Sequence, residues 1–353
     1  MPLSVPVVWS DACLLHEPGG EVWIGLPFPG DEVPERAVRI RDALVGAGAP
    51  VVGAQPHPDD ALLAVHDTRL VEFLRTAWER WDESGYPAEH GQDRVVPYIS
   101  PHPGLVGALE PLAPASPAAR TGLFCFDTMT PIGPETWRAA RAAVDCALTA
   151  CDLVLGGARV AYACARPPGH HVTGTAYGGS CYLNNVAIAA AHLHGQGIER
   201  VAIVDIDAHH GNGAQSIFGN RTDVFTSSVH VDPETGWFPH FLGTASESHA
   251  TNLNVTLAPH TADEGWLEGV ARTVEATRAF GADAVVVALG VDAAAVDPES
   301  PLDVTPTGFH RAGRLLGGLG LPTIVVQEGG YDLAAIGGLV LATLEGVEEG
   351  LGA

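Results

Sequence analysis

Two acidic residues and one histidine are spaced so that they could bind a single metal ion. Asp207 and His209 are separated by one residue in the run VDIDAHHGNG, and Asp292 follows in LGVD. Residues i and i+2 of an extended segment point to the same side, so Asp207 and His209 can reach one ion together. Three protein ligands leave coordination positions open, as in a catalytic rather than a structural zinc site. The set fits Zn²⁺, with Fe²⁺ and Mn²⁺ as alternatives.

Two adjacent histidines and a tyrosine could complete a catalytic site around such an ion. His170 and His171 follow a Pro-Pro-Gly turn, and Tyr331 follows two glycines. Adjacent histidines in a rigid loop suit general-base and proton-transfer roles, and a phenol over the metal could stabilise an oxyanion. Each imidazole needs a partner on its other nitrogen, and Asp205 and Asn212, beside the metal pair, are candidates. Taken alone, a tyrosine after two glycines would be only a turn residue, whereas two adjacent histidines in such a loop already favour a catalytic role.

The positions of these residues after predicted strands favour the catalytic interpretation. Apolar runs predict strands at residues 160–164, 201–206, 224–229, 284–289 and 322–326, and helices at 134–153, 185–194, 264–280, 307–319 and 336–351. Continuous apolar strands that alternate with helices indicate a parallel sheet covered on both faces. Ligand sites of such sheets lie beyond the carboxyl ends of the strands. Four predicted strand ends are followed by the histidine, aspartate and tyrosine residues described above.

Composition limits the classes of partner. The chain has 353 residues, enough for one large α/β domain or two small ones, and 46% are apolar while only 17% are charged, which argues against disorder. The formal net charge of −24 disfavours nucleic-acid and anionic-membrane binding. A negative charge of this size would instead attract cationic small molecules or basic peptides. The alternative is that the acidic surface only keeps the protein soluble.

The cysteines and the N-terminal residues predict a cytoplasmic protein. None of the six cysteines forms a Cys-x-x-Cys pair, and their neighbours are mostly apolar, as expected of buried reduced thiols. The first residues lack the charged and apolar regions of a signal peptide. No apolar run reaches the roughly 18 residues of a transmembrane span.

Several motifs, in order, resemble those of histone deacetylases and their bacterial relatives. They are RPPGHH, GGSCYLNNVAIAA, VDIDAHHGNG, LGVDAAAVDP and EGGYD, and the resemblance runs through nearly the whole chain. It implies the three-layer α/β/α arginase/deacetylase fold with a mostly parallel sheet of about eight strands. We expect one domain over residues 1–353 with an irregular insertion near 85–117. The segments FLRTAWERWDESGYP, DTMTPIGPETW and HVDPETGWFPHFLGTASE are most similar to bacterial acetylpolyamine amidohydrolases.

The resemblance implies a zinc-dependent amidohydrolase and a role for each residue. Asp207, His209 and Asp292 bind zinc, His171 is the general base, and His170 is its electrostatic neighbour. The other implied assignments are Asp205 pairing with His170, Asn212 pairing with His171, Tyr331 polarising the substrate carbonyl, the Gly179 carbonyl accepting the substrate amide N–H, and Phe238 forming a tunnel wall. A structural K⁺ or Na⁺ would be bound by Asp205, Asp207, His209, Ser228 and Val229.

Acetylpolyamines are the predicted substrates, with acetate and free amine as products. Glu299 aligns with the gatekeeper glutamate of polyamine-selective deacetylases, where a carboxylate favours a distal ammonium, although a surface loop residue is the alternative. Ser180 replaces the usual aromatic residue and predicts a wider or more polar tunnel wall. Carboxylates that such enzymes carry before the first long helix are replaced here by Ala118 and Met129.

Other functions stay open at the level of sequence. A protein acetyl-lysine deacetylase or a deacylase of another small metabolite would use the same motifs. A non-catalytic binding protein on this scaffold is disfavoured because every catalytic position is filled, and an arginase-like enzyme would need further metal ligands. The insertion near 85–117 resembles one that dimerises in acetylpolyamine enzymes, so we expect a homodimer acting on slender substrates.

Overall fold

Ten strands form the sheets of the protein, which a computed structural model describes from residue 2 to residue 352. They are β1 (Val7–Trp9), β2 (Glu21–Trp23), β3 (Leu26–Phe28), β4 (Val51–Gly53), β5 (Val160–Ala163), β6 (Val201–Asp205), β7 (Val224–Val231), β8 (Asn252–Leu257), β9 (Ala284–Leu289) and β10 (Thr323–Gln327). Eight of them form one sheet in the order β4-β1-β5-β10-β9-β6-β7-β8, and every neighbouring pair is parallel. This confirms the predicted parallel sheet of about eight strands.

Twelve α-helices lie between and after the strands in the described residues. They are α1 (Glu35–Gly46), α2 (Asp60–Leu63), α3 (Thr68–Glu83), α4 (Tyr86–His90), α5 (Pro103–Val106), α6 (Pro117–Thr121), α7 (Thr136–Leu155), α8 (Asn185–Gly195), α9 (Asn212–Phe218), α10 (Asp263–Phe280), α11 (Pro306–Gly317) and α12 (Ile336–Gly350). Short 3₁₀ helices span Asp11–Leu15, Pro233–Thr235 and Ala245–Glu247. None of the helices described in residues 2–352 is long and apolar enough to cross a membrane.

Both faces of the sheet are covered, because successive strand side chains point to opposite sides. In β9, Val285, Val287 and Leu289 pack into one core with helices α1, α10, α11 and α12. Val286 and Ala288 pack into the other core with α7, α8 and α9. The alternation explains why the strands are apolar throughout, and it confirms the three-layer α/β/α fold.

The five strands predicted from apolar runs are present, with ends shifted by at most two residues. Strands β1, β4 and β8 were not predicted. β4 and β8 are the edges of the sheet. β4 is only three residues long and largely exposed, and β8 carries asparagine and threonine among its apolar residues. Edge strands are covered less completely, so their sequences lack the continuous apolar signal of the central strands.

Residues 85–117 contain only the short helices α4 and α5 and the first residue of α6, and are otherwise irregular. Val95 forms an isolated bridge with Ile132, which ties this segment to the chain before α7. The six cysteines are buried and unpaired.

An antiparallel hairpin of β2 and β3 lies outside the main sheet. The Val22 N–H donates to the Thr128 carbonyl at 3.2 Å, and the Thr128 hydroxyl donates to the Val22 carbonyl at 2.6 Å. These two bonds fix the hairpin against the 127–130 loop. This hairpin was not predicted from the sequence.

Candidate active site

The ends of β6 and β9 bring Asp207, His209 and Asp292 together. These strands are parallel neighbours, so the residues that follow them reach the same edge of the sheet. Ligand atoms of the three side chains lie within 4.8 Å of one another. His209 Nδ1 is 3.0 Å from Asp292 Oδ2 and 3.4 Å from Asp207 Oδ1. All three residues are buried.

Backbone groups orient the two carboxylates. The Gly329 N–H donates to Asp207 Oδ2 at 2.9 Å, and the Ala208 N–H donates to Asp292 Oδ1 at 2.9 Å. At Gly290, a Cβ atom would lie only 1.9 Å from Asp207 Oδ2, so no larger residue fits there. The carboxylates are therefore held in place before any ligand binds.

The electrostatics of this cluster fit a divalent cation. Burial and the neighbouring Asp207 carboxylate raise the pKa of Asp292 to about 7. Within residues 2–352, neither aspartate forms an ion pair with an arginine. Buried charges are costly unless they are paired or bind a metal. Two carboxylates and one imidazole thus form a donor set that a bound Zn²⁺ would neutralise.

The two adjacent histidines have different partners and different protonation. His170 Nδ1 lies 2.9 Å from Asp205 Oδ2, and His171 Nδ1 lies 2.7 Å from Asn212 Oδ1. Burial alone would lower the pKa of His170, but the Asp207 and Asp205 carboxylates outweigh it and raise the pKa to about 10. Burial and the charged neighbour His170 lower the pKa of His171 well below its ordinary value. His171 is therefore neutral, with Nδ1–H donated to Asn212 and Nε2 free to accept a proton.

Glu328 connects the histidine loop to the tyrosine turn, and no role was predicted for it from the sequence. Its Oε2 accepts the N–H groups of Gly169 at 2.6 Å and His170 at 3.0 Å. Its position in the EGGYD motif was the available signal. Glu328 is fully buried, so the backbone of the two loops is fixed together.

Two residues, Asp297 and Arg36, hold Tyr331 beside the cluster of Asp207, His209 and Asp292. Its N–H donates to Asp297 Oδ2 at 2.6 Å. The guanidinium carbon of Arg36 lies 4.7 Å from the centre of the Tyr331 ring. Arg36 also donates to the carbonyls of Glu328, at 2.7 Å, and Gly330. The turn that carries the phenol is thereby anchored to helix α1.

A cavity of about 490 Å³ opens beside His171, His209 and Tyr331. Gly179 and Phe238, the predicted substrate contacts, line it, and the Phe238 ring packs edge-to-face on His171 with centroids 4.8 Å apart. This volume is within the usual range for small-molecule sites. The space between these walls leads to His209 of the carboxylate and histidine cluster.

The same cavity shows where the predicted substrate-selective residues lie. Ser180 lines it next to Gly179, and Met129 lines it as well, whereas Ala118 is buried in α6 and does not. Glu299 lines the cavity and is partly buried. Its N–H donates to Asp297 Oδ1 at 3.0 Å, so one aspartate positions both Glu299 and Tyr331.

Two further acidic residues line the cavity and were not predicted. Glu21 lies on β2 of the hairpin, and Asp31 lies shortly after β3. Both are far in sequence from the catalytic motifs, and an isolated acidic residue near the N-terminus carries no local signal. Only the folded position of the hairpin shows that they face the site.

The residues of the predicted monovalent-cation site also lie together. Asp205 and Ser228 are directly paired in the register of β6 and β7, and Val229 follows within the buried strand. Asp207 and His209 continue from the end of β6. The Ser228 hydroxyl lies 2.8 Å from His230 Nδ1. Binding of K⁺ or Na⁺ here stays a prediction.

Comparison with known proteins agrees with this architecture. The histone deacetylase domain model matches residues 31–347. An acetylpolyamine amidohydrolase of Mycoplana ramosa is 37% identical over 347 residues, which cover 97% of this chain and 99% of the relative. Acetylpolyamine amidohydrolase 1 of Pseudomonas aeruginosa is 36% identical over 350 residues, covering 97% and 98%.

A solved structure gives the same result for the fold. The crystal structure of an acetylpolyamine aminohydrolase from Burkholderia pseudomallei superposes with a TM-score of 0.90 at 36% identity and covers 99% of both chains. These matches confirm the resemblance that the motifs indicated. The chain belongs to the histone deacetylase family, and it is a hydrolytic deacetylase.

Proposed function

We propose that this protein is a zinc-dependent deacetylase that releases acetate and free amine from acetylpolyamines. One observation carries the proposal: the Asp207, His209 and Asp292 cluster opens into a cavity shared by a neutral His171 and the Tyr331 phenol. A metal cluster, a base and an oxyanion donor in one cavity are the parts that amide hydrolysis needs.

The side chains divide the proton transfers between them. Zinc bound by the cluster supplies Lewis-acid polarisation of the acyl carbonyl and lowers the pKa of water toward about 7. His171 Nε2 accepts the proton of the attacking water and returns it to the leaving amine. The Tyr331 hydroxyl donates a hydrogen bond to the oxygen on which negative charge develops. His170, held protonated by Asp205, adds positive charge beside that oxygen.

Two observations support a polyamine substrate. The relatives that match almost the full chain are named acetylpolyamine amidohydrolases. Acidic side chains face the cavity, and burial raises the pKa of one of them, Glu299, to about 8. A partly buried carboxyl group of this kind is stabilised in its charged form by a substrate ammonium.

A substrate panel with metal analysis tests the proposal. Purified protein would be loaded with Zn²⁺, Fe²⁺ or Mn²⁺ and assayed with acetylputrescine, acetylcadaverine and an acetyl-lysine peptide. We expect the zinc form to be active and the two acetylated diamines to have higher kcat/KM than the peptide. A preference for the peptide would instead favour a protein deacetylase, and a metal-loaded protein inert towards every acetylated amine would favour a non-catalytic binding role.

We also propose a cytoplasmic homodimer that uses the 85–117 segment. This segment exposes four large apolar side chains, each 66–78% accessible: Tyr98, Leu105, Leu109 and Leu112. Large exposed apolar patches are typical of protein interfaces. The mass in solution, measured by light scattering, should be twice that of the chain for the wild type. It should fall to one chain for Leu109→Asp with Leu112→Asp, and a monomeric wild type would contradict the proposal.

A further inference from the structure

A second group of histidine and aspartate residues lies outside the active-site cavity. His57 follows β4, Asp145 and Asp152 lie on α7, and His192 lies in the last turn of α8. His57 Nε2 is 3.0 Å from Asp152 Oδ2, and His192 Nε2 is 3.3 Å from Asp152 Oδ1. The imidazole nitrogens of two distant segments therefore face one carboxylate, and none of these four described residues lines the cavity.

Contacts with α7 hold the segment that carries His57 in place. The His57 N–H donates to Asp145 Oδ1 at 2.9 Å, and the Gln55 N–H donates to Thr149 Oγ1 at 2.9 Å. Helices α7 and α8 pack into the same core beside the sheet. The three elements are thus fixed relative to one another, so only side-chain rotation is needed to bring the nitrogen and oxygen atoms closer together.

His57 lies between two carboxylates, and a neutral imidazole with one N–H cannot satisfy both. Its Nδ1 is 3.4 Å from Asp145 Oδ1 and is buried without a hydrogen-bond partner in residues 2–352. A metal ion on Nε2 would resolve this, because Nδ1–H would face Asp145 while Asp152 and Nε2 share the ion. A carboxylate behind a metal-binding histidine commonly orients the ring in this way. Arg141 Nη1, 3.1 Å from Asp145 Oδ1, keeps that carboxylate in position.

Two imidazole nitrogens and one carboxylate oxygen are a donor set that suits Zn²⁺ and similar divalent transition metals. The ring centroids of His57 and His192 are 6.0 Å apart, whereas two imidazoles on one tetrahedral zinc ion lie about 5 Å apart. Closing the difference needs little movement, because the His192 and Asp152 side chains are 17% and 51% exposed and can rotate. The same exposure leaves a coordination position open to water.

We infer that His57, Asp152 and His192 bind a second divalent transition-metal ion, with Asp145 as the orienting partner of His57. The site is separate from the cluster that follows β6 and β9, and the inference does not depend on the proposed function. The ion would join the loop after β4 to α7 and α8. Because β4 is a three-residue edge strand, such a link would hold the exposed edge of the sheet against the helices.

The zinc content of the protein tests this inference. The wild type and its variants would be dialysed to equilibrium against micromolar Zn²⁺ and analysed for zinc per chain. We expect His192→Gln and Asp152→Asn each to bind one ion fewer than the wild type, because each variant loses one of the three ligands. His260→Gln is the matched control and should keep the wild-type content, because it removes an exposed histidine that lies 3.5 Å from a single aspartate, Asp303.

Equal zinc content in the wild type and both variants overturns the inference and leaves a protonated His57 between the two carboxylates. An equal loss in His260→Gln overturns it as well, because it would indicate unspecific binding to surface histidines. If His192→Gln does not fold, Asp152→Asn decides alone, since its side chain is half exposed. Hydrolysis of acetylated amines should proceed at the wild-type rate in Asp152→Asn, so the proposed function and this inference fail in different measurements.

Discussion

Replacing Glu32 by alanine should destabilise the protein by about 3–5 kcal/mol. Glu32 Oε1 accepts from Arg36 Nη1 at 2.6 Å and from Arg166 Nε at 2.8 Å, and all three side chains are at most 2% exposed. A hydrogen bond to a charged group contributes about 1.5–3 kcal/mol, so two give about 3–6 kcal/mol. Removal of one partner from a buried ion pair costs about the same, because the other charge stays buried without compensation.

The same replacement should lower turnover. Arg36 stacks on Tyr331 and donates to the Glu328 carbonyl, so an unpaired Arg36 would release the turn that carries the phenol. Glu32→Gln is the matched control, because its amide oxygen can still accept from both guanidinium groups while its charge is lost. We expect the glutamine variant to lie between alanine and wild type in both stability and kcat.

Urea unfolding of metal-depleted protein measures the loss of unfolding free energy in Glu32→Ala without the contribution of bound metal. The arginines outweigh burial and lower the pKa of Glu32, so its contribution is present at neutral pH and is lost as pH falls through that lowered pKa. The alanine and wild-type curves should therefore converge in acid. A difference in unfolding free energy below about 1 kcal/mol at neutral pH would refute the reasoning, because exposed ion pairs already contribute that much.

Three further predictions concern the site directly. Tyr331→Phe should lower kcat by about 10²–10³ while metal content stays at the wild-type level, and a near-normal rate would remove its oxyanion role. Burial raises the pKa of Glu299 to about 8, so the KM for acetylpolyamines should fall as the pH rises through that value and the carboxyl group becomes charged. Glu299→Leu should flatten this dependence of KM on pH, and it should raise KM more for acetylpolyamines than for an acetyl-lysine peptide. Gly290→Ala should abolish metal retention, measured by elemental analysis, because a Cβ there meets Asp207 Oδ2 at 1.9 Å, and normal metal content would contradict this packing.

The central strands and the chemical groups of the site could be predicted because both follow local rules. Buried parallel strands are continuously apolar, and the residues just after them converge at one edge of the sheet. The motifs at the ends of β6 and β9 therefore identified Asp207, His209 and Asp292 from spacing and position alone. The family resemblance then supplied the reaction class, which spacing could not.

The features that the sequence did not indicate are contacts between segments that are distant in the chain. Glu21 faces the cavity only because the hairpin is bonded to Thr128, more than a hundred residues away. Likewise, the ion pair of Glu32 with Arg166 joins residues 134 positions apart. Such contacts leave no periodicity in either segment. For the same reason the acidic lining of the cavity had to be read from the folded chain, and Glu299 alone was found in advance.

The attachment of the β2–β3 hairpin suggests that recognition and chemistry can be changed independently. The groups that act on the amide follow strands of the central sheet, whereas Glu21 lies on an eight-residue ribbon whose backbone bonds to the loop before α7 come from Val22. A different ribbon could be grafted there without altering a single strand of the sheet. The hairpin supplies Glu21, Trp23 and Phe28 to the lining of the cavity, so exchanging this short segment would change the shape and charge of the cavity while the catalytic groups keep their positions.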